Sequence, residues 1–240
     1  MQMNIAIVIA GGSGRRTGQD VPKQFLNVYD VPIFIYTLNN LETLDCIDEI
    51  IVVGPLGWEN YISSYAKQFD IHKFKAVVTG GDTRFDSIMN GLEYLKENRD
   101  SNEVVATLID ANRPLIPHQV IQDGIDTLKD CSCTLALEPC YDSMFCCKDG
   151  INLDDVTVDR SILFAGQTPE TARLSDLLEV YGMARKDHLT EWPMSTLFLH
   201  YNKSVKRVKG SRKSMKITTI EDFELFKALL GDTRLQGLKT

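Results

Sequence analysis

Directly after an apolar run from Ile5 to Ile9 the chain reads Ala10-Gly11-Gly12-Ser13-Gly14-Arg15-Arg16, and a few residues later Pro22-Lys23-Gln24-Phe25. A glycine-rich turn exposes backbone N–H groups that can wrap phosphates, and nearby cations can neutralise them. A dinucleotide-binding loop or a plain tight turn can begin the same way. The Walker pattern GxxxxGK[ST] is absent, and the second apolar run ends Val53-Gly54-Pro55, without the carboxylate that holds a ribose in a dinucleotide fold. The cations suit phosphoryl transfer better than hydride transfer, because a triphosphate being cleaved needs positive charge around the reacting phosphorus. Arg16 and Lys23 are the candidates, while Arg15 reads as a solvated surface residue.

Further groups follow in order: Gly80-Gly81-Asp82-Thr83-Arg84-Phe85-Asp86-Ser87, Asp110-Ala111-Asn112-Arg113-Pro114, Val158-Asp159-Arg160, Gln167-Thr168-Pro169 and Lys216-Ile217-Thr218-Thr219. With AGGxGxR and PKQF, this series resembles the cytidylyltransferases that act on methylerythritol phosphate and on ribitol phosphate, and the resemblance runs along nearly the whole chain. It implies CTP and a small phosphorylated alcohol as substrates, with Arg16 and Lys23 stabilising the transition state. It places Ala10, Gly11, Gly12, Gly14, Gly81, Asp82, Arg84, Ser87, Ala111 and Lys216 at CTP. Arg113, Ser143, Arg160, Thr168 and Thr190 fall to the acceptor. The residue types agree: glycines 80 and 81 let backbone approach a flat base, and the Ser87 hydroxyl can hydrogen-bond cytosine or its ribose. Asp110 closes a buried run, where an unpaired carboxylate is costly, and is assigned to Mg2+. The attacking group is then a phosphate oxygen already ionised, which needs no strong general base.

The acceptor is read from departures. The methylerythritol phosphate enzymes typically carry an acidic residue three positions before the Lys of the KxT segment, where this chain has Lys213. The polyol-phosphate branch lacks that carboxylate, often has a Gly before QTP, here Gly166, and a Trp after the second strand, here Trp58. A ribitol-phosphate-like acceptor, feeding surface-glycan or teichoic-acid synthesis, is the expectation, with methylerythritol phosphate as the alternative. Thr17, Tyr141-Asp142-Ser143, Glu170 and the pair Thr190-Glu191 also depart from the family's usual residues, mostly on the acceptor side.

Positioning these groups requires a scaffold. Similar, mostly apolar runs recur at Ile47–Val53, Phe74–Val78, Val104–Ile109 and Cys133–Leu137, as expected of strands buried on both faces. Between them lie helical stripes, one opened by Pro32 and one carrying Phe85, Ile88, Met89, Leu92 and Leu95. This alternation predicts an α/β fold: a Rossmann-like, mostly parallel sheet with helices on both faces, of nucleotidyltransferase type, its site built from the loops after Ile9, Val78 and Ile109. From about 140 to 164 the pattern breaks into polar residues with scattered apolar ones, a candidate protruding arm for a homodimer, in which Arg160 could serve the neighbour's site. Val205–Val208 and Met215–Thr218 read as strands, and Thr219 to Asp222 as a helix cap. Residues 1–240 are treated as a single domain.

With 240 residues, 43% hydrophobic and 25% charged, the chain can bury a full core. A net charge of -7 argues against a nucleic-acid partner, and the basic cluster from Lys203 to Lys213 reads as a funnel for substrate phosphate. No apolar run reaches the ~20 residues of a membrane helix, and the N-terminal run lacks a signal peptide's flanks, so a cytoplasmic protein is expected. Six cysteines form no CxxC pair and read as reduced structural thiols. The four histidines are too scattered for a metal set, and Asp154-Asp155 reads as a solvated turn. Against the active enzyme stand a nicotinamide-dependent oxidoreductase, disfavoured by the missing ribose carboxylate, and an inactive nucleotide-binding homologue. The second is disfavoured by the joint presence of Arg16, Lys23, Asp110 and Lys216.

Overall fold

The computed structural model describes residues 2–11, 21–154, 156 and 158–231. Its centre is a seven-stranded sheet built on β1 (Met3–Ile9), with β4 (Glu49–Gly54) and β5 (Phe74–Thr79) on one side. On the other side lie β6 (Val104–Asp110), β8 (Phe164–Arg173), β7 (Cys133–Pro139) and the edge strand β9 (Val205–Lys209). All pairings are parallel except those of β8, which runs against both β6 and β7. A short hairpin of β2 (Asn27–Val28) and β3 (Val31–Pro32) stands apart.

The apolar runs form central strands because both faces of the sheet are covered. Ile5, Ile7 and Ile9 pack with α3 (Arg84–Asn98), α5 (Leu174–Lys186) and α6 (Met194–His200). Ala6 and Val8 point the other way, into α1 (Ile33–Glu42), α2 (Glu59–Gln68) and α4 (His118–Thr127). Period-two alternation is therefore present in space and hidden in sequence, since every position is apolar. A last helix, α7 (Ile220–Gly231), is capped by Thr219 and Asp222 in a reciprocal pair and seats Phe226 against Val28 and Ile33.

Two features depart from expectation. Met215–Thr218 is not a strand: its backbone is engaged by Asn112, whose carbonyl accepts from Ile217 N at 2.9 Å and whose amide donates to Ile217 O. Residues 164–173, unforeseen as a strand, form β8, because Pro139 pairs with Phe164 and the 140–163 segment is an excursion at the tip of the β7–β8 hairpin. Within it Phe145, Ile151 and Leu153 are exposed. Trp58 caps α2 and stacks on Phe25 at 4.3 Å between ring centroids.

From β1 the chain steps outward to β4 and β5, then returns to place β6 on the opposite side of β1. Connections on the two sides diverge there, opening a crevice at the carboxyl ends of β1 and β6. No described helix is long and apolar enough to cross a membrane.

Candidate active site

Asp110 is the last residue of β6, opposite Ile9 of β1, so the strand register delivers its carboxylate to the crevice. Its backbone N–H donates to Thr168 Oγ1 at 3.2 Å, which ties β6 to β8 at the site. Three cations converge on the side chain. Lys216 Nζ lies 3.0 Å and Arg113 Nε 3.2 Å from Oδ2, while Arg84 Nη2 lies 3.6 Å from Oδ1. Burial on its own would raise the Asp110 pKa, but Lys216, Arg84 and Arg113 together outweigh it and hold the group at about 2. Arg113 is itself buried and also donates through Nη1 to Ser214 O, so it fastens the Lys216 segment to the end of β6.

The turn after β5 supplies a second feature. Thr83 caps α3, accepting from Asp86 N at 3.1 Å and donating to the Asp86 carboxylate at 2.7 Å. One turn on, Ser87 Oγ donates to Thr83 O at 2.9 Å and accepts from Gly81 N at 3.2 Å. A Cβ on Gly11 would lie 3.0 Å from Ser87 Oγ, so the loops after β1 and β5 meet at that hydroxyl. At Gly81 a Cβ would fall 2.3 Å from Asp86 Cβ, closer than packing allows. Gly81→Ala must therefore displace the turn, and a shift of ~1 Å can cost about 10² in rate. We expect the variant's catalytic efficiency to drop by that order in steady-state assays; an unchanged value would mean that the turn does not take part in the site.

Beside Asp110 opens a cavity of about 510 Å³. Arg84, Asp110, Arg113, Thr168, Thr190 and Lys216, singled out from the sequence, all line it. Ala10 and Ala111 lie on adjacent strand ends, Ala10 N donating to Val53 O and Ala111 N to Ile9 O. Lys23 begins a short 3-10 helix, Lys23–Phe25, anchored by Gln24 Nε2 donating to Ala10 O and by the Phe25–Trp58 stack. Asp82 is exposed on the turn. Gly12, Gly14 and Arg16 lie outside the described residues. Ser143 and Arg160 do not line the cavity: both are in the 140–163 segment, where Arg160 donates to Tyr141 O.

Sequence reasoning passed over Tyr181, Trp192 and Ser195 and noted Gln167 only within a motif and Glu170 only as a departure, yet all of them line the cavity. Glu170 is buried and accepts from Ser195 N at 3.0 Å. Burial raises its pKa, against the pull of Arg84. The signal lay in the polar run Gln167 to Thr171, too hydrophilic for an interior strand unless it faces a ligand site.

A metal ion fits this donor set in one way. Among the described residues no three His, Cys, Asp or Glu side chains converge. Magnesium, however, is commonly held by one or two carboxylates, with substrate phosphates and water completing its shell. Asp110 offers such an oxygen in Oδ1, which faces Arg84 beyond hydrogen-bond length.

A doubly wound sheet with a cation-ringed carboxylate at its switch point defines a protein that handles phosphorylated ligands such as nucleotides. The model of the IspD family, described as 2-C-methyl-D-erythritol 4-phosphate cytidylyltransferase, matches residues 4–232. The chain belongs to this family of nucleotidyl-transferring enzymes. A ribitol-5-phosphate cytidylyltransferase of Vibrio parahaemolyticus is 36% identical, over 95% of this chain and 96% of its own. A 2-C-methyl-D-erythritol 4-phosphate cytidylyltransferase of Clostridium novyi is 30% identical over 100% of both. Among solved structures, the 4-diphosphocytidyl-2C-methyl-D-erythritol synthase of Anaerococcus prevotii superposes with a TM-score of 0.77 at 25% identity, over 95% of this chain and 98% of its own.

Proposed function

We propose that the chain transfers the cytidylyl group of CTP to a polyol phosphate of the ribitol 5-phosphate type, releasing pyrophosphate and forming a CDP-polyol for surface-glycan or teichoic-acid-type synthesis in the cytoplasm. The observation that carries the reading is the buried Asp110 carboxylate with Lys216, Arg113 and Arg84 gathered on it. These cations lean on Asp110 and can turn to phosphate when substrates enter. Gly81 and Ser87 take the cytosine or its ribose, and Lys23, with Arg16, meets the charge that develops at the α-phosphorus. Mg2+, held by Asp110, would supply further neutralisation of the triphosphate. An oxygen of the acceptor's phosphate attacks the α-phosphorus in line with the departing pyrophosphate. That oxygen is already anionic, so the protein's work is positioning and charge stabilisation.

The polyol acceptor is favoured by the 36% identical ribitol-5-phosphate relative and by Lys213, which stands where the methylerythritol phosphate enzymes typically have an acid. Methylerythritol phosphate is the second reading, favoured by the 30% identical relative that acts on it. Pyrophosphate release with Mg2+, CTP and a panel of ribitol, arabinitol, xylitol, glycerol and methylerythritol phosphates separates them, with ATP, GTP and UTP as controls. Turnover with ribitol 5-phosphate and CTP is expected; turnover with methylerythritol phosphate alone moves the acceptor, and no turnover or CTP binding removes the reading.

The exposed apolar residues of the 140–163 segment support a homodimer in which Ser143 and Arg160 reach the neighbouring cavity. Light scattering at micromolar concentration is expected to give twice the chain mass; a single-chain mass excludes that arrangement.

A further inference from the structure

Resting on the cytidylyl-transfer reading, we propose that Glu170 determines acceptor specificity: it holds hydroxyl groups of the polyol tail and turns the acceptor's phosphate towards the cations on Asp110. Glu170 lies on β8 two residues beyond Thr168, and both side chains line the cavity. The residue is only 5% exposed. Ser195 supports the carboxylate through its backbone N–H, at 3.0 Å. A carboxylate has about four acceptor positions, so capacity remains towards the cavity.

The cavity carries charge of both signs. Arg84, Arg113 and Lys216 surround Asp110, while Glu170, within the pull of Arg84, and Glu191 supply carboxylates to the same lining. A phosphate is drawn to the cations and repelled by Glu170. A buried carboxylate with unfilled acceptor positions is costly, and hydroxyl donors relieve that cost where a methyl branch or a second anion does not. The preferred acceptor is therefore a monophosphate with an uncharged tail rich in hydroxyls. The burial that raises the Glu170 pKa is the same desolvation that makes a hydroxyl partner favourable.

The test uses the full-length protein with CTP and either ribitol 5-phosphate or its monodeoxy analogues, as wild type and as Glu170→Gln. Glutamine is nearly isosteric and retains an oxygen for Ser195, but presents an NH2 to the hydroxyls. For wild type, kcat/KM is expected to fall about tenfold or more for at least one deoxy analogue, the usual penalty for losing a hydrogen bond to a charged group. Glu170→Gln should raise KM for ribitol 5-phosphate about tenfold, leave KM for CTP unchanged, and discriminate less against that analogue. The wild-type arm does not depend on the variant folding. A wild type that turns over ribitol 5-phosphate and is indifferent to every deoxy analogue overturns the inference alone, as does an equal penalty in both proteins. Absent turnover of CTP with any polyol phosphate overturns the cytidylyl-transfer reading and this inference with it.

Discussion

Lys23→Ala is expected to lower kcat by about two to three orders of magnitude while KM for CTP changes far less. That size is typical of removing one preorganised electrostatic group from a transition state. A charge matters more there than in the ground state, because negative charge at the α-phosphorus grows as the new bond forms. Preorganisation is visible in how Lys23 is mounted. The Phe25 N–H donates to Pro22 O at 2.9 Å, Gln24 holds the carbonyl of Ala10, and Phe25 lies between Trp58 and the edges of Phe34 and Tyr61. The half-buried residue is thereby held relative to the end of β1 by the contacts of its neighbours Gln24 and Phe25. Denaturant titration should therefore find the variant within about 1 kcal/mol of wild type, as for most substitutions outside the core. A kcat within about threefold of wild type, in a protein that still binds CTP, would remove Lys23 from the chemistry.

The parallel half of the sheet was legible because burial on two faces leaves a simple trace, a mostly apolar run ended by glycine or a polar residue. Ile5–Ile9 and Val104–Ile109 carry that trace, and the structure places them side by side. Once those strands and the order of the chain are known, convergence of the loops after β1, β5 and β6 follows from topology, and Gly11, Gly81 and Ser87 do meet. β8 was not legible for the converse reason. Its polar residues Gln167, Thr168, Glu170 and Thr171 are buried or half-buried, and residues that line a cavity or pair across strands do not look like a strand's apolar face.

Partners distant in sequence escape pattern reading altogether. Arg113 was recognisable as a cation near a nucleotide motif, but its anchoring to Ser214 O, one hundred and one residues away, was not. Met215–Thr218 had a plausible strand composition, yet pairing with the Asn112 side chain gives its backbone an alternative to a ladder. Glu170 is recognisable in the sequence only as a departure from the family's usual residue. Only burial beside Ser195 and the cations of the cavity gives that single negative charge a meaning.

Asp110→Asn should remove activity and stability together, and the stability loss should vary with pH in a direction fixed by the Asp110 pKa. The folded value of about 2 lies below the ordinary 3.8, so the native state favours the charged form more than the unfolded chain does. The contribution is complete above the unfolded value and disappears as pH falls from about 4 towards about 2. A shift of this size corresponds to about 2 kcal/mol. Asparagine cannot recover it, because it leaves Lys216, Arg113 and Arg84 gathered without their counter-charge. Lys216 and Arg84 are partly solvated, which limits the repulsion, so a loss of about 2–3 kcal/mol at pH 7 is expected rather than the upper range for a fully buried pair. Urea titrations of both proteins at pH 7, 4 and 3 should show the difference shrinking as acid is added. At pH 7 kcat should fall by about 10² or more, since the cations lose the charge that orients them and the candidate metal ligand becomes a neutral amide. A stability difference independent of pH would show that Asp110 acts through packing; full activity in the variant would move the catalytic centre away from the end of β6.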